Sequence, residues 1–172
     1  MLDKHLFLVG FMGVGKTTNG KKLAQILQRN FIDLDELFVA QEGMSITDYF
    51  KIHGEADFRK KERDILRQLG DKEPAVIATG GGAPCFFDNM EWMNENGITI
   101  YFQMPYQALA QRLAASKRQK RPLIQHLSEE ELLDFITDRM AYRHPFYAKA
   151  AHHINVLELD MKQLVKQLGL LA

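Results

Sequence analysis

The chain has 172 residues, enough for one domain with a substantial core and short for two. Hydrophobic residues make up 46% and charged residues 26%, which excludes an intrinsically disordered chain. Basic and acidic side chains balance at 22 each, so overall charge gives no reason to expect nucleic acid or membrane surface as a partner, and no apolar run reaches spanning length.

In chain order, His5 to Val9 read as a buried strand that starts almost at Met1. That leaves no room for a signal peptide, and the expectation is a cytoplasmic protein, with a monomer as the default. Directly behind the strand, Gly10-Phe11-Met12-Gly13-Val14-Gly15-Lys16-Thr17-Thr18 fits G-x-x-x-x-G-K-[ST] at every position. Gly20, Leu23, Ala24 and Leu27 then recur at helical spacing. In a strand–loop–helix context the glycines let backbone N–H groups converge on a phosphate, and the helix N-terminus presents its dipole to the same anion. Lys16 reaches the outer phosphates as a point charge, and the Thr17 hydroxyl ligates Mg2+. A nucleoside triphosphate site is therefore expected at Gly13, Val14, Gly15, Lys16, Thr17 and Thr18.

Phe31-Ile32-Asp33 reads as a second strand that carries two alternate carboxylates, Asp33 and Asp35, to the sheet edge where the glycine loop lies. One acid can hold Mg2+ through water while the other handles a hydroxyl proton; the plainer alternative is that the pair caps a helix. Ser45 opens a helix with a capping-box pattern, Gly54 interrupts it, and Phe58, Ile65, Leu66 and Leu69 resume it up to Gly70. Arg59 and Glu62 share a face there, suited either to grasping a carboxylate or to a solvated surface pair; local sequence alone favours the surface pair. Ala75 to Thr79 form a third strand, followed by Gly80-Gly81-Gly82, where close approach of a second substrate is the expected reason for three glycines. The single cysteine, Cys85, excludes an intramolecular disulfide and reads as a packed apolar thiol.

A helix over Asp88 to Asn96 ends at Gly97, Ile98 to Phe102 form a fourth strand, and Tyr106 to Ala115 another helix. The run Ser116 to Leu123 holds four basic residues and ends in Arg121-Pro122-Leu123; it suits a solvated face or a mobile lid that brings an arginine over a triphosphate. Ser128 and Glu131 form another capping box, opening a helix on which Arg139 and Arg143 share a face. His153 to Val156 are a fifth strand, and Asp160 caps a last amphipathic helix. No ligand partners accompany the His152-His153 pair, so a strand and surface assignment is preferred to a metal site.

Together these residues closely resemble the shikimate kinase family, nearly end to end. The family's G-x-M-G-x-G-K-T-T is matched by Gly10 to Thr18, D-x-D by Asp33 and Asp35, and G-E-x-x-F-R-x-x-E by Gly54, Glu55, Phe58, Arg59 and Glu62. T-G-G-G is Thr79 to Gly82, R-P-L is Arg121 to Leu123, and R-x-P-x-Y is Arg143, Pro145 and Tyr147. The resemblance implies a single P-loop kinase domain over residues 1–172, an α/β/α fold with a five-stranded parallel sheet of order 2-3-1-4-5. It implies a substrate-binding cap over about 33–61 and a lid over about 112–125. It implies transfer of the γ-phosphoryl of ATP to the 3-hydroxyl of shikimate, with Mg2+, on the route to chorismate and the aromatic amino acids. By the same resemblance Lys16 holds phosphates, Thr17 ligates Mg2+, Asp33 assists through water, and Asp35 is the base. Arg59 and Arg143 clamp the shikimate carboxylate, the Gly80, Gly81 and Gly82 amides line its pocket, and Arg121 covers the transferred phosphoryl. Two positions depart from the pattern. Seven residues before R-P-L, where many members carry an adenine-packing arginine, this chain has Ala114, with Lys117 or Arg118 as candidate substitutes; Lys149 stands where an acid is common.

The rival enzyme readings are a gluconate kinase or a nucleoside monophosphate kinase, against which the T-G-G-G and G-E-x-x-F-R motifs argue. A GTPase switch would carry N-K-x-D and D-x-x-G, and neither is present.

Overall fold

A computed structural model describes residues 4–116 and 123–170. Five strands, β1 (His5–Val9), β2 (Asn30–Asp33), β3 (Ala75–Ala78), β4 (Gly97–Gln103) and β5 (His152–Asn155), form one sheet in the order β2-β3-β1-β4-β5. Every pairing is parallel. The order and the direction are those that the family resemblance implies. Helices cross between the strands: α1 (Lys16–Leu27), α2 (Leu34–Glu42), α3 (Ile46–Arg67), α4 (Asn89–Asn96), α5 (Tyr106–Ala114), α6 (Glu129–Tyr147) and α7 (Met161–Gln167).

The central strand explains why the sheet is layered on both faces. Leu6, Phe7, Leu8 and Val9 of β1 are all fully buried, so side chains of both alternations need cover. Helix α1 supplies part of it with Leu23 and Ala24. Gly20 on α1 is a packing requirement, because a Cβ there would come within 2.6 Å of the Phe31 ring and 2.9 Å of Leu8. At the start of β4, Gly97 plays the same part beneath His5 and Phe7, and the strand begins at this glycine rather than at Ile98.

One element differs from the sequence expectation. Only Asp33 belongs to β2; Asp35 lies in the first turn of α2, a helix the pattern did not resolve. The break expected at Gly54 is present: its φ of 80° and ψ of 169° are non-helical, and α3 is two helical stretches joined across a kink. Both capping serines are in place. Ser45 Oγ accepts from Asp48 N at 3.1 Å, and around Ser128 both halves of the box form, at 3.1 Å and 2.7 Å. Among the described residues, no helix is long and apolar enough to cross a membrane.

Candidate functional site

The loop between β1 and α1 is shaped by glycines at positive φ. Gly10 takes φ 139° because a Cβ would sit 2.7 Å from the Phe102 carbonyl oxygen, and Gly15 takes φ 105° as the N-cap of α1. With no side chain to cap them, the first amides of α1 stay available to an anion. Lys16 Nζ, nine-tenths buried, donates to the Gly10 and Phe11 carbonyls at 2.7 and 3.0 Å. Gly13, Gly15, Lys16, Thr17 and Thr18 line one cavity of about 460 Å³. Val14 differs from them: its side chain is buried in the core.

Asp33 combines two tasks that the sequence posed as alternatives. Its Oδ1 accepts from the amides of Asp35 and Glu36 and caps α2, while its Oδ2 accepts from the Thr17 hydroxyl at 2.8 Å. A hydroxyl and a carboxylate thus meet at the loop, the oxygen pair that a small hard cation bridging phosphates would use. The donor set, the Thr17 hydroxyl and the Asp33 carboxylate, fits Mg2+.

A second cavity of about 390 Å³ opens beside the first, lined by Arg59, Glu62, Gly80, Gly81, Gly82 and Arg143 among others. Met12, Asp35 and Gly81 line both cavities. Asp35 is exposed as a residue, but its carboxyl packs down against Gly80. Its carboxyl is held above the ordinary range, first by desolvation and then by the Asp33 charge, against the pull of Lys16 and Arg59. Arg59 is not a solvated surface residue. Nη1 donates to Glu62 at 2.8 Å and Nη2 to Glu55 at 3.1 Å, with the guanidinium 4.2 Å from the Phe86 ring centroid. Glu62 is 2% exposed. The surface-pair reading fails because kinked α3 turns this one acid inward beside Phe58, Ile65 and Leu66.

The three glycines have a sharper cause than room for a ligand. A Cβ on Gly80 would lie 2.7 Å from Asp35 Oδ1, on Gly81 3.1 Å from Arg143 Nη1, and on Gly82 2.7 Å from both Arg59 terminal nitrogens. The loop is the seat on which the functional side chains rest. Tyr147 fixes it by donating its hydroxyl to the Gly81 carbonyl, and Asn89 holds Ala83 at 2.8 Å. Arg143, on α6, lies 5.4 Å from the Phe11 ring centroid.

The family model for shikimate kinase matches residues 12–169. The chain belongs to the shikimate kinase family. Its members are enzymes with kinase activity. A shikimate kinase of Phocaeicola vulgatus is 44% identical over 94% of this chain and 92% of its own. The crystal structure of shikimate kinase from Bacteroides thetaiotaomicron superposes with a TM-score of 0.91 at 40% identity, covering 96% of this chain and 98% of that one. Shikimate kinase from Acinetobacter baumannii, solved in complex with shikimate, gives 0.80 at 33% identity over 96% and 90% of the two chains.

Two positions depart from the family pattern. Ala114 is half-buried, and the arginine that lines the loop cavity is Arg112, two residues earlier, with Nη2 3.4 Å from where a Gly15 Cβ would be. Counting back from Arg121 across the basic run missed it. The signal that finds it is Arg112 and Ser116 one turn apart, both lining that cavity. Lys149, in place of an acid, pairs with Glu91 at 2.6 Å on the surface. Arg121, Lys117 and Arg118 lie outside the described residues.

Proposed function

We propose that this chain transfers the γ-phosphoryl group of ATP to the 3-hydroxyl of shikimate, giving shikimate 3-phosphate and ADP on the route to chorismate and the aromatic amino acids. One observation carries the reading: Asp35 lies in the wall shared by a phosphate-loop cavity and a cavity lined by Arg59 and Arg143. A donor in one and an acidic acceptor in the other meet at that carboxylate. The shikimate bound to the Acinetobacter baumannii relative supports the choice of acceptor.

Phosphoryl transfer asks little covalent chemistry of a protein; it asks for alignment and for positive charge on the moving group. Lys16 and the α1 amides hold the phosphates. Thr17, with Asp33 through water, would hold Mg2+, which when bound neutralises phosphate charge. Arg112 adds a cation against the loop, and Arg121 of a lid over about 112–125 covers the transferred group. Arg59 and Arg143 clamp the carboxylate, and the cap over about 33–61 carries Arg59 to it. Asp35 orients the acceptor hydroxyl and accepts its proton, a task matched to a carboxyl held above its ordinary range. Residues for both substrates come from one chain, which fits a monomer acting on small molecules in the cytoplasm.

An assay of ADP release with shikimate, gluconate and nucleoside monophosphates tests the reading. Turnover with shikimate alone is expected, and Asp35→Asn should lower kcat at least ~100-fold with little change in either KM. Faster turnover with gluconate or a nucleotide acceptor would overturn it.

A further inference from the structure

Two carboxylates line the acceptor cavity, Asp35 and Glu62, and the transfer described above employs only Asp35. Glu62 is 2% exposed and accepts from Arg59 Nη1 at 2.8 Å. Arg59 has a second counter-ion in Glu55 at the rim, so balancing its charge does not require Glu62. Above Gly80 the two acids converge: the point where a Cβ would stand is 2.7 Å from Asp35 Oδ1 and 3.0 Å from Glu62 Oε1. The charges around Glu62 are Arg59 on its own helix, Asp35 on α2 and Arg143 on α6. The thiol of Cys85, pushed up to about 11 by burial, is neutral beside them.

This inference rests on the acceptor being a carboxylic acid. Its carboxylate would join those of Asp35, Glu62 and Glu55 around the guanidinium groups of Arg59 and Arg143. Like charges so close do not all stay ionised. We infer that Glu62 takes a proton from solvent when the acid substrate binds and returns it when the product leaves, yielding its hold on Arg59 to the incoming carboxylate. Glu62 is thereby a positioning residue whose protonation is coupled to acceptor binding. Burial already pushes it up to about 7, with Arg59 opposing and Asp35 adding to the rise, so a modest further push at neutral pH changes its charge. Asp35 is less suited to the part, because the Lys16 charge as well as that of Arg59 favours its ionised form.

Coupling of this kind has a direct readout. Heats of shikimate binding are measured by titration calorimetry without nucleotide at pH 7.5, in phosphate and in Tris, whose ionisation enthalpies differ. The expected result is a buffer-dependent heat corresponding to uptake of about half a proton, and a Kd that rises toward ~10-fold per pH unit above pH 7. Glu62→Gln should bind with the same heat in both buffers and a flat pH profile. Wild-type heats independent of buffer would overturn the inference whether or not the variant folds, and so would proton uptake that persists in Glu62→Gln. Failure of shikimate to bind at all would overturn the acceptor assignment as well.

Discussion

At Gly82 a methyl group has nowhere to go, since its carbon would stand 2.7 Å from both terminal nitrogens of Arg59. The obstacle is the far end of a side chain, so Gly82→Ala should fold and instead push the guanidinium out of position. We expect the KM for shikimate to rise about tenfold with kcat within ~3-fold. Arg59→Lys, which removes the bidentate geometry, should cost roughly 2–4 kcal/mol in kcat/KM, again mainly through KM. Steady-state kinetics at saturating ATP checks both, and an unchanged KM in the two variants would remove Arg59 from the clamp. On the donor side Arg112→Ala should raise the KM for ATP about tenfold while the KM for shikimate holds, the loss of one charged contact to phosphate. The glycine triplet and Arg59 were legible in the sequence, but their relation was not. Three glycines in a row imply space for a ligand, whereas the atoms that need the space belong to Asp35, Arg143 and Arg59. Arg112 was illegible for another reason: no periodicity fixes the length of the basic segment between it and Arg121.

The kinked helix carries the acceptor machinery, and its kink depends on one backbone conformation. Gly54 has φ 80° with no atom within 4 Å of where a Cβ would be, so substitution there meets strain without collision. Gly54→Ala should destabilise by about 1–2 kcal/mol, read as a lower urea midpoint at constant slope. Straightening α3 would also swing Arg59 and Glu62, so the KM for shikimate should rise with the loss of stability; a variant equally stable and equally active would mean that the kink is not needed. Punctuation of this kind was plain from residue types: the phosphate loop, the Gly54 break, the Ser128 box and the order of strands and helices. Helix α2 was not, because Asp33 and Asp35 fit the period of a strand as well as the first turn of a helix. The end of β2 decided it. Asp33 cannot cap α2 through Oδ1 and meet Thr17 through Oδ2 unless the chain turns helical directly behind it.

Across the whole molecule, the parallel sheet gathers residues as distant as Lys16, Asp35, Arg59 and Arg143 onto one edge, and that long-range order decides which charges are buried. In the run from Arg59 to Asp64 all charges look alike. Lys61 pairs with Glu42 and Arg63 with Asp64 toward the surface, while Glu62 is enclosed together with its partner Arg59, against the sheet-edge glycines. Enclosure has a consequence for stability with a definite sign. Glu62 titrates near its ordinary 4.5 in the unfolded chain and near 7 in the folded one, so between those values the native state holds more protons. Stability then falls as pH rises through that window. The contribution is fully present below pH 4.5 and gone above about 7, a difference of about 3 kcal/mol at most for a shift of this size. Other carboxylates titrate over the same range, so the measurement is the stability of wild type minus that of Glu62→Gln, from urea unfolding at pH 4.5, 6 and 7.5. The difference should drop steadily across the series, because glutamine keeps the shape and carries no charge to desolvate. If it stays constant, the Arg59 guanidinium compensates the buried carboxylate in full, and Glu62 titrates alike in the folded and the unfolded chain.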